Sequence, residues 1–108
     1  MKDLLQTCKT VCASNAEFVW FDDETLLRSK VAPWTELPLW IPESDQEHRG
    51  FLQIDSLKAQ NQGLSYRTLE ETIEATLAWD LKRDQSMPLK AGLTRAKEEE
   101  ILNSVLSF

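Results

Sequence analysis

The stretch Arg49–Arg83, RGFLQIDSLKAQNQGLSYRTLEETIEATLAWDLKR, decides the fold because it holds the clearest helix start and stop signals in the chain. Residues 51–54 are short and apolar, which predicts a strand. Asp55 can then accept hydrogen bonds from the free amides at the start of a short helix, Asp55–Gln62. Gly63 stands where that helix needs a residue with a left-handed backbone in order to end.

A longer amphipathic helix is predicted next, from Thr68 to about Lys82. Thr68 and Glu71 have the spacing of a capping box, in which each side chain bonds the other residue's backbone amide. The residues that recur at helical spacing on one face are Leu69, Ile73, Thr76, Leu77 and Trp79. Asp80 falls within this apolar arc, where a carboxylate needs a donor. We therefore expect Asp80 to form a structural ion pair or to cap a neighbouring loop.

Outside this stretch, the clearest strand signal is Glu17–Phe21, which is rich in aromatic and β-branched residues. It can pair with the predicted strand Gly50–Ile54, in a direction that the sequence leaves open. The remaining predicted helices are Lys2–Ala13, residues 25–30 after a cap at Asp22 or Asp23, and a last helix from Thr94 to about Leu106. Because a two-stranded sheet is marginal alone, helices must cover it. We predict one domain over residues 1–108, an α+β fold dominated by about five helices around a small two-stranded sheet.

Composition excludes several classes of function. The formal net charge of −6 argues against nucleic acid as a partner, because binding phosphates requires a basic surface. No apolar run is long enough to span a membrane, and the start of the chain lacks the apolar region of a signal peptide. We therefore expect a cytoplasmic protein. Cys8 and Cys12 are predicted to be small buried hydrophobes, with a metal site that also uses His48 as the weaker alternative.

The segment Pro33–Pro42, here called the Pro-rich segment, has the sequence PWTELPLWIP. Three prolines in ten residues exclude an ordinary helix or central strand. Its two tryptophans and three aliphatic residues are nevertheless too apolar for a solvated loop. Two interpretations remain open: the segment lines a ligand cleft, or it wraps over the core of its own domain.

These motifs, in this order, resemble the C-terminal region of extended short-chain dehydrogenases/reductases, the NAD-dependent epimerase/dehydratase-like proteins. The resemblance is carried by Ile-Asp-Ser-x-Lys-Ala at 54–59, by Leu-Glu-Glu-Thr-Ile-x-x-Thr-Leu-x-Trp at 69–79, and by Trp-Thr-Glu-Leu-Pro-Leu-Trp at 34–40. It covers roughly residues 4–106 and is most similar to reductase- or epimerase-type bacterial members. It implies a substrate-binding half of such an enzyme.

The chain lacks the catalytic parts of that family. Its three glycines, Gly50, Gly63 and Gly92, do not form the Gly-rich turn that binds a dinucleotide pyrophosphate. The family's Tyr-x-x-x-Lys pair is also missing, because Tyr66 is followed four residues later by Glu70. The resemblance therefore implies a chain that is inactive alone and binds no cofactor. A parent protein would hold NAD or NADP in a separate Rossmann domain, the expected partner of this one.

The resemblance further implies that Trp34, Trp40, Arg49 and Tyr66 contribute to substrate binding. For Arg49 the competing interpretation is a solvated basic pair with His48 beside an acidic run. His48 could act as a general base only with a hydrogen-bonded partner, and the sequence places none.

Two functional hypotheses follow. The first is the substrate-binding C-terminal domain of an NAD(P)-dependent epimerase, dehydratase or reductase. The alternative is a free-standing α+β protein-interaction module that self-associates through the Pro-rich segment. Both predict a symmetric homodimer when the chain is isolated, because a domain without its partner exposes the surface that the partner covers. We expect that dimer to bury part of Trp34–Ile41.

Overall fold

The computed structural model describes residues 1–106. It contains five α-helices in this part of the chain: α1 (Lys2–Val11), α2 (Asp23–Arg28), α3 (Leu57–Asn61), α4 (Leu69–Lys82) and α5 (Arg95–Leu106). Residues 1–106 form no strand, and the only ladder-type contact among them is an isolated bridge between Pro33 and Leu37. None of the helices in residues 1–106 is both long and apolar enough to cross a membrane.

The chain divides into two compact units. Unit 1 consists of residues 1–19 and 55–88 and contains α1, α3 and α4. Unit 2 consists of residues 20–54 and the chain from Leu89 onward, and it contains α2, α5 and the Pro-rich segment.

The predicted two-stranded sheet, and with it the α+β class, is wrong. Both predicted strands, Glu17–Phe21 and Gly50–Ile54, lie at the positions where the chain passes from one unit to the other. The second also folds into turns, because the amide of Phe51 bonds the carbonyl of His48 and the amide of Gln53 bonds the carbonyl of Gly50. Aromatic and β-branched residues favour a strand only where a pleated, half-buried surface is available, and neither stretch lies on one.

Two helix ends of unit 1 confirm the local predictions, the end of α3 at Gly63 and the start of α4 at Thr68. The amide of Leu64 bonds the carbonyl of Ala59, and the amide of Gly63 bonds that of Gln60, the two bonds of a Schellman motif. Gly63 has the left-handed backbone this motif requires, with φ 104°. At the start of α4, Thr68 and Glu71 exchange the reciprocal side-chain bonds of the predicted capping box.

Unit 1 is held together by α1 packing on α4. Ile73 is its one buried large apolar side chain, at 8% exposure, within residues 1–19 and 55–88. The predicted burial of the two cysteines is wrong, because Cys8 is half-buried and Cys12 is exposed on α1. Both are free thiols. Asp80, on the inner arc of α4, pairs with Arg83 at 2.7 Å, which confirms the predicted structural ion pair.

Unit 2 has a small apolar core of different construction. The buried residues are Leu26 from α2, Val31 from the following turn and Ile101 from α5. The half-buried side chains packed against them are Phe21, Leu37, Trp40 and Leu93. Asp22 caps α2 by accepting a bond from the amide of Thr25 at 2.8 Å, which selects one of the two predicted caps. Most of this core therefore comes from loops rather than from facing helices.

Candidate functional site

The Pro-rich segment is a tight loop on the core of unit 2. Leu37 and Trp40 pack against the buried residues, and the amide of Trp40 bonds the carbonyl of Leu37 at 3.0 Å. Trp34 and Leu39 have left-handed backbones, with φ of 67° and 70°. Such angles are unfavourable for side chains with a Cβ, so surrounding contacts must hold them. The loop therefore directs Trp40 inward and leaves Trp34 and Leu39 exposed.

Asp23 fixes one end of this loop. Its Oδ1 accepts a hydrogen bond from Nε1 of Trp40 at 2.8 Å, and its Oδ2 accepts one from the amide of Glu43 at 2.8 Å. The carboxylate therefore joins α2 to Trp40, near the end of the Pro-rich segment, and to Glu43, just after it. This role could not be predicted from the sequence, because the partners of Asp23 are 17 and 20 residues away.

The other end of the loop is fixed by Glu36 and Lys97. The Nζ of Lys97, on α5, donates to both carboxylate oxygens of Glu36 at 2.8 and 2.6 Å and to the carbonyl of Lys30 at 2.8 Å. Glu36 also accepts from the amide of Ala32 at 2.7 Å. The Lys97 ammonium, followed by the Ala32 amide, lowers the pKa of the Glu36 carboxyl below its ordinary value.

An aromatic group lies on the exposed side of unit 2. The ring of Trp34 makes edge contacts with His48, at 5.6 Å between centroids, and with Phe51, at 4.9 Å. His48 Nδ1 lies 3.0 Å from both carboxylate oxygens of Asp45. Sequence reasoning missed this partner, which lies three residues away on the same turn. A carboxylate on Nδ1 orients an imidazole for proton transfer through Nε2.

The four residues predicted to bind substrate fall in both units. Trp34, Trp40 and Arg49 belong to unit 2, and Tyr66 belongs to unit 1. The structure joins Trp34 to Trp40 through a backbone bond of 3.4 Å. Arg49 is exposed and makes no hydrogen bond or ion pair with another residue in the range 1–106. Their assignment to substrate binding stays a prediction.

Unit 2 also has two open grooves. The larger, about 660 Å³, runs beside α5 and is lined by Arg28, Ser29, Lys30, Thr94, Ala96, Lys97, Glu100, Ile101 and Ser104. The smaller, about 500 Å³, lies along α2 and is lined by Asp23, Glu24, Leu27, Arg28, Glu43 and Ser44. The ammonium of Lys97 in the larger groove is already bonded to Glu36. Among the described residues, no hydrogen bond joins a side-chain hydroxyl of either lining to a carboxylate or an ammonium in it.

The described part of the chain contains no assembled set of metal ligands. Residues 1–106 contain no group of three or more His, Cys, Asp or Glu side chains arranged to hold an ion.

The most extensive feature is exposed apolar surface. Among the described residues, 19 large hydrophobic side chains are exposed and only four apolar side chains form buried core. In unit 1, the segment around α3 contributes four of the exposed ones: Leu57, Leu64, Tyr66 and Leu69. The hydroxyl of Tyr66 donates to Oγ of Ser56 at 2.7 Å, which holds its ring beside the start of α3.

No family model matches the chain, and comparison with curated proteins and with solved structures finds no significant match. The function is therefore argued from the geometry above.

Proposed function

We propose that this chain is a helical protein-association module that completes its apolar packing on a partner. The observation that supports this function best is the ratio of exposed to buried apolar side chains, 19 to four among the described residues. Isolated exposed hydrophobic residues are ordinary in monomeric proteins, but extensive apolar surface marks interaction sites.

The total accessible surface supports the same proposal. The chain exposes 9216 Å². A compact protein of 12.4 kDa exposes about 6,100 Å², and two separate compact bodies of half that mass expose about 7,400 Å² together. The excess is at least about 1,800 Å², whereas one partner in a standard interface contributes about 800 Å². The chain therefore has ample surface for a stable interface.

The energetics point in the same direction. Burying one large aliphatic or aromatic side chain stabilises a protein by about 1.5–3 kcal/mol, and folded domains are stable by only about 5–15 kcal/mol. With four buried apolar residues between two units, the isolated chain has little core on which to rely. A partner that covers several of the exposed side chains adds stability comparable with that of the chain itself.

Urea unfolding of the isolated chain at low concentration tests this proposal. The slope m scales with the surface exposed on unfolding. Because the folded chain buries less surface than a compact protein of its mass, we expect m about a quarter below the value for a compact protein of this length. The proposal would be contradicted by a slope m as large as that of a compact protein of this length, together with an unfolding midpoint that is independent of protein concentration.

A second candidate is the substrate-binding domain of an NAD(P)-dependent epimerase-like protein. The exposed group on unit 2 favours it, because Trp34 offers an aromatic edge beside the His48–Asp45 pair and Arg49 adds an exposed cation. Calorimetric titration with NAD and NADP, oxidised and reduced, tests this candidate. It predicts no binding by this chain alone, and micromolar binding would contradict the prediction that the nucleotide site lies in a separate domain.

We further propose that the module acts in the cytoplasm. Cys8 and Cys12 are free thiols and Cys12 is exposed, which suits a reducing compartment.

A further inference from the structure

The larger groove of unit 2 lies between the end of α2 and one side of α5. Residues 28–30 line it at the end of α2, and Thr94 lines it together with positions 96, 97, 100, 101 and 104. These positions of α5 recur at helical spacing, so they share one side of the helix. The volume of about 660 Å³ is within the range of about 300–1,000 Å³ that small-molecule sites have. Ile101, at 5% exposure, belongs both to this lining and to the core of unit 2. The groove is therefore large enough for a small molecule and is built on the core.

The lining of this groove is positively charged, although the chain is acidic. It contains three cations, Arg28, Lys30 and Lys97, and one carboxylate, Glu100, which gives a net charge of +2 in a chain of −6. Lys97 is neutralised by Glu36, which lies 2.6 Å away. The charges that remain are two cations at the end of α2 and one carboxylate on α5. The groove therefore favours a ligand that carries negative charge over a neutral or cationic one.

Arg28 and Lys30 are both available to a ligand. Both residues are exposed, and neither forms an ion pair with any residue in the range 1–106. The guanidinium of Arg28 has one hydrogen bond, a long one of 3.5 Å to Oγ1 of Thr25. Hydrogen bonds from Thr25 are the main cause that lowers the pKa of the Asp22 carboxyl, and the charge of Arg28 contributes least. Arg28 therefore keeps most of its donors for a ligand, and Lys30 keeps all three.

The backbone of Lys30 holds this residue at the edge of the groove. Lys30 follows the C-cap of α2 with φ 58°, and its amide and that of Val31 make the two bonds of a Schellman motif. Its carbonyl accepts from Nζ of Lys97 at 2.8 Å, which fixes this turn against α5. Glycine is the residue best suited to such a backbone, so a lysine there lowers stability while it adds a cation to the groove. Departures of this kind from local preference occur at functional sites.

We propose that the larger groove of unit 2 binds a small organic phosphate through Arg28 and Lys30. A phosphate monoester carries a charge of about −1.5 to −2 at neutral pH, which matches two free cations. The planar guanidinium of Arg28 suits two phosphate oxygens at once, and the ammonium of Lys30 acts as a point charge. The hydroxyl of Ser29, in the same lining, makes no hydrogen bond with another residue in the range 1–106 and adds a donor. This site is separate from the association function and does not depend on it.

Titration of the whole chain with phenyl phosphate, followed by the chemical shifts of its backbone amides, tests the proposal. Phenol and benzoate are the matched probes, because they keep the ring and remove the phosphate or replace it with a carboxylate. We expect phenyl phosphate to shift amides of residues 28–30 and of the groove side of α5, and to bind more weakly as salt is added. Benzoate should bind less tightly, and phenol should leave these amides unchanged.

Two glycine variants separate binding from stability. Lys30→Gly removes a cation from the groove and relieves its left-handed backbone, so we expect a higher thermal unfolding temperature and a dissociation constant for phenyl phosphate that is about tenfold higher or more. Ala13→Gly makes the matched change at the end of α1, where Ala13 has φ 49° in the same kind of motif. It should raise the unfolding temperature and leave binding unchanged. Arg28→Gln should weaken binding about as much as Lys30→Gly.

Several results would overturn the proposal. Amide shifts spread over cationic residues outside the groove, such as Lys2 and Lys9, would show non-specific attraction of an anion. Equal binding of phenol would show that the phosphate is not recognised, and equal binding of benzoate would exclude phosphate as the preferred class. A dissociation constant that Lys30→Gly leaves unchanged would show that the groove is not the site. The absence of any shift with phenyl phosphate at millimolar concentration would exclude the site altogether.

Discussion

The two units of this chain are stabilised in different ways. In unit 2, side chains far apart in sequence meet: Trp40 bonds Asp23, and Lys97 bonds Glu36 across 61 residues. Unit 1 relies on local helix caps and on one buried side chain, Ile73. Local caps fix where helices begin and end, but they do not fix how helices pack. If the proposed function is right, unit 1 is therefore the unit that gains more from a partner, and four predictions test this difference.

The largest effect is expected in the core of unit 2. Ile101→Ala removes a side chain that is 5% exposed and packed with Leu26 and Val31. We therefore expect the free energy of unfolding to fall by about 2–5 kcal/mol. Ile73→Ala is the matched change in unit 1, where fewer buried neighbours surround the cavity. Urea unfolding should show a clearly smaller loss for Ile73→Ala. Equal losses would mean that the two units have comparable cores.

The next effect is expected at Asp23. Asp23→Ala leaves Nε1 of Trp40 and the amide of Glu43 without their acceptor, and we expect a loss of about 1–3 kcal/mol. The Trp emission spectrum should also change as the Trp40 indole is released. Glu24→Ala, at the exposed neighbouring position, is the control and should change stability by less than about 0.5 kcal/mol. A neutral Asp23→Ala would show that the carboxylate does not hold the loop.

A smaller effect is expected at the α4 cap. Thr68→Ala removes the side chain that accepts from the amide of Glu71 at 3.2 Å, and a lost cap of this kind costs about 1 kcal/mol. The helical circular dichroism signal and the thermal unfolding temperature should both decrease. Ser65→Ala, in the preceding loop, is the control and should leave both unchanged. An equal change in the two variants would argue against the capping box.

The smallest effect is a pH dependence carried by Glu36. Lys97 lowers the pKa of Glu36 in the folded chain, so the contact stabilises the fold above the ordinary glutamate pKa and is lost as the pH falls through the lowered value. The pair is partly solvated, which limits its contribution. Glu36→Gln should reduce stability at neutral pH and flatten the acidic side of the profile. An unchanged profile would show that the pair contributes nothing.

The helix ends could be predicted from the sequence because their causes are local. The Thr68 cap and the Gly63 stop each depend on residues within about five positions, and the structure confirms both. The sheet could not be predicted reliably, because a strand exists only if a second one pairs with it. Glu17–Phe21 and Gly50–Ile54 have the composition of strands, but they lie where the chain changes units.

The candidate site shows the same limit. The pairing of Asp23 with Trp40 depends on how the Pro-rich segment folds back on α2, which no sequence spacing encodes. The partner of His48 was closer, since Asp45 precedes it by three residues. A single turn can bring together the side chains of residues that are three positions apart. The spacing of Asp45 and His48 was therefore a signal from which this pair could have been predicted.

Hydrogen exchange of the backbone amides, followed by mass spectrometry at low and high protein concentration, tests the central claim most directly. We predict that amides in unit 1 gain protection as the concentration rises, because association covers the exposed apolar side chains of this unit. The buried core of unit 2, around Leu26 and Ile101, should exchange equally at both concentrations. Protection that is independent of concentration throughout, or that rises only in unit 2, would contradict the account.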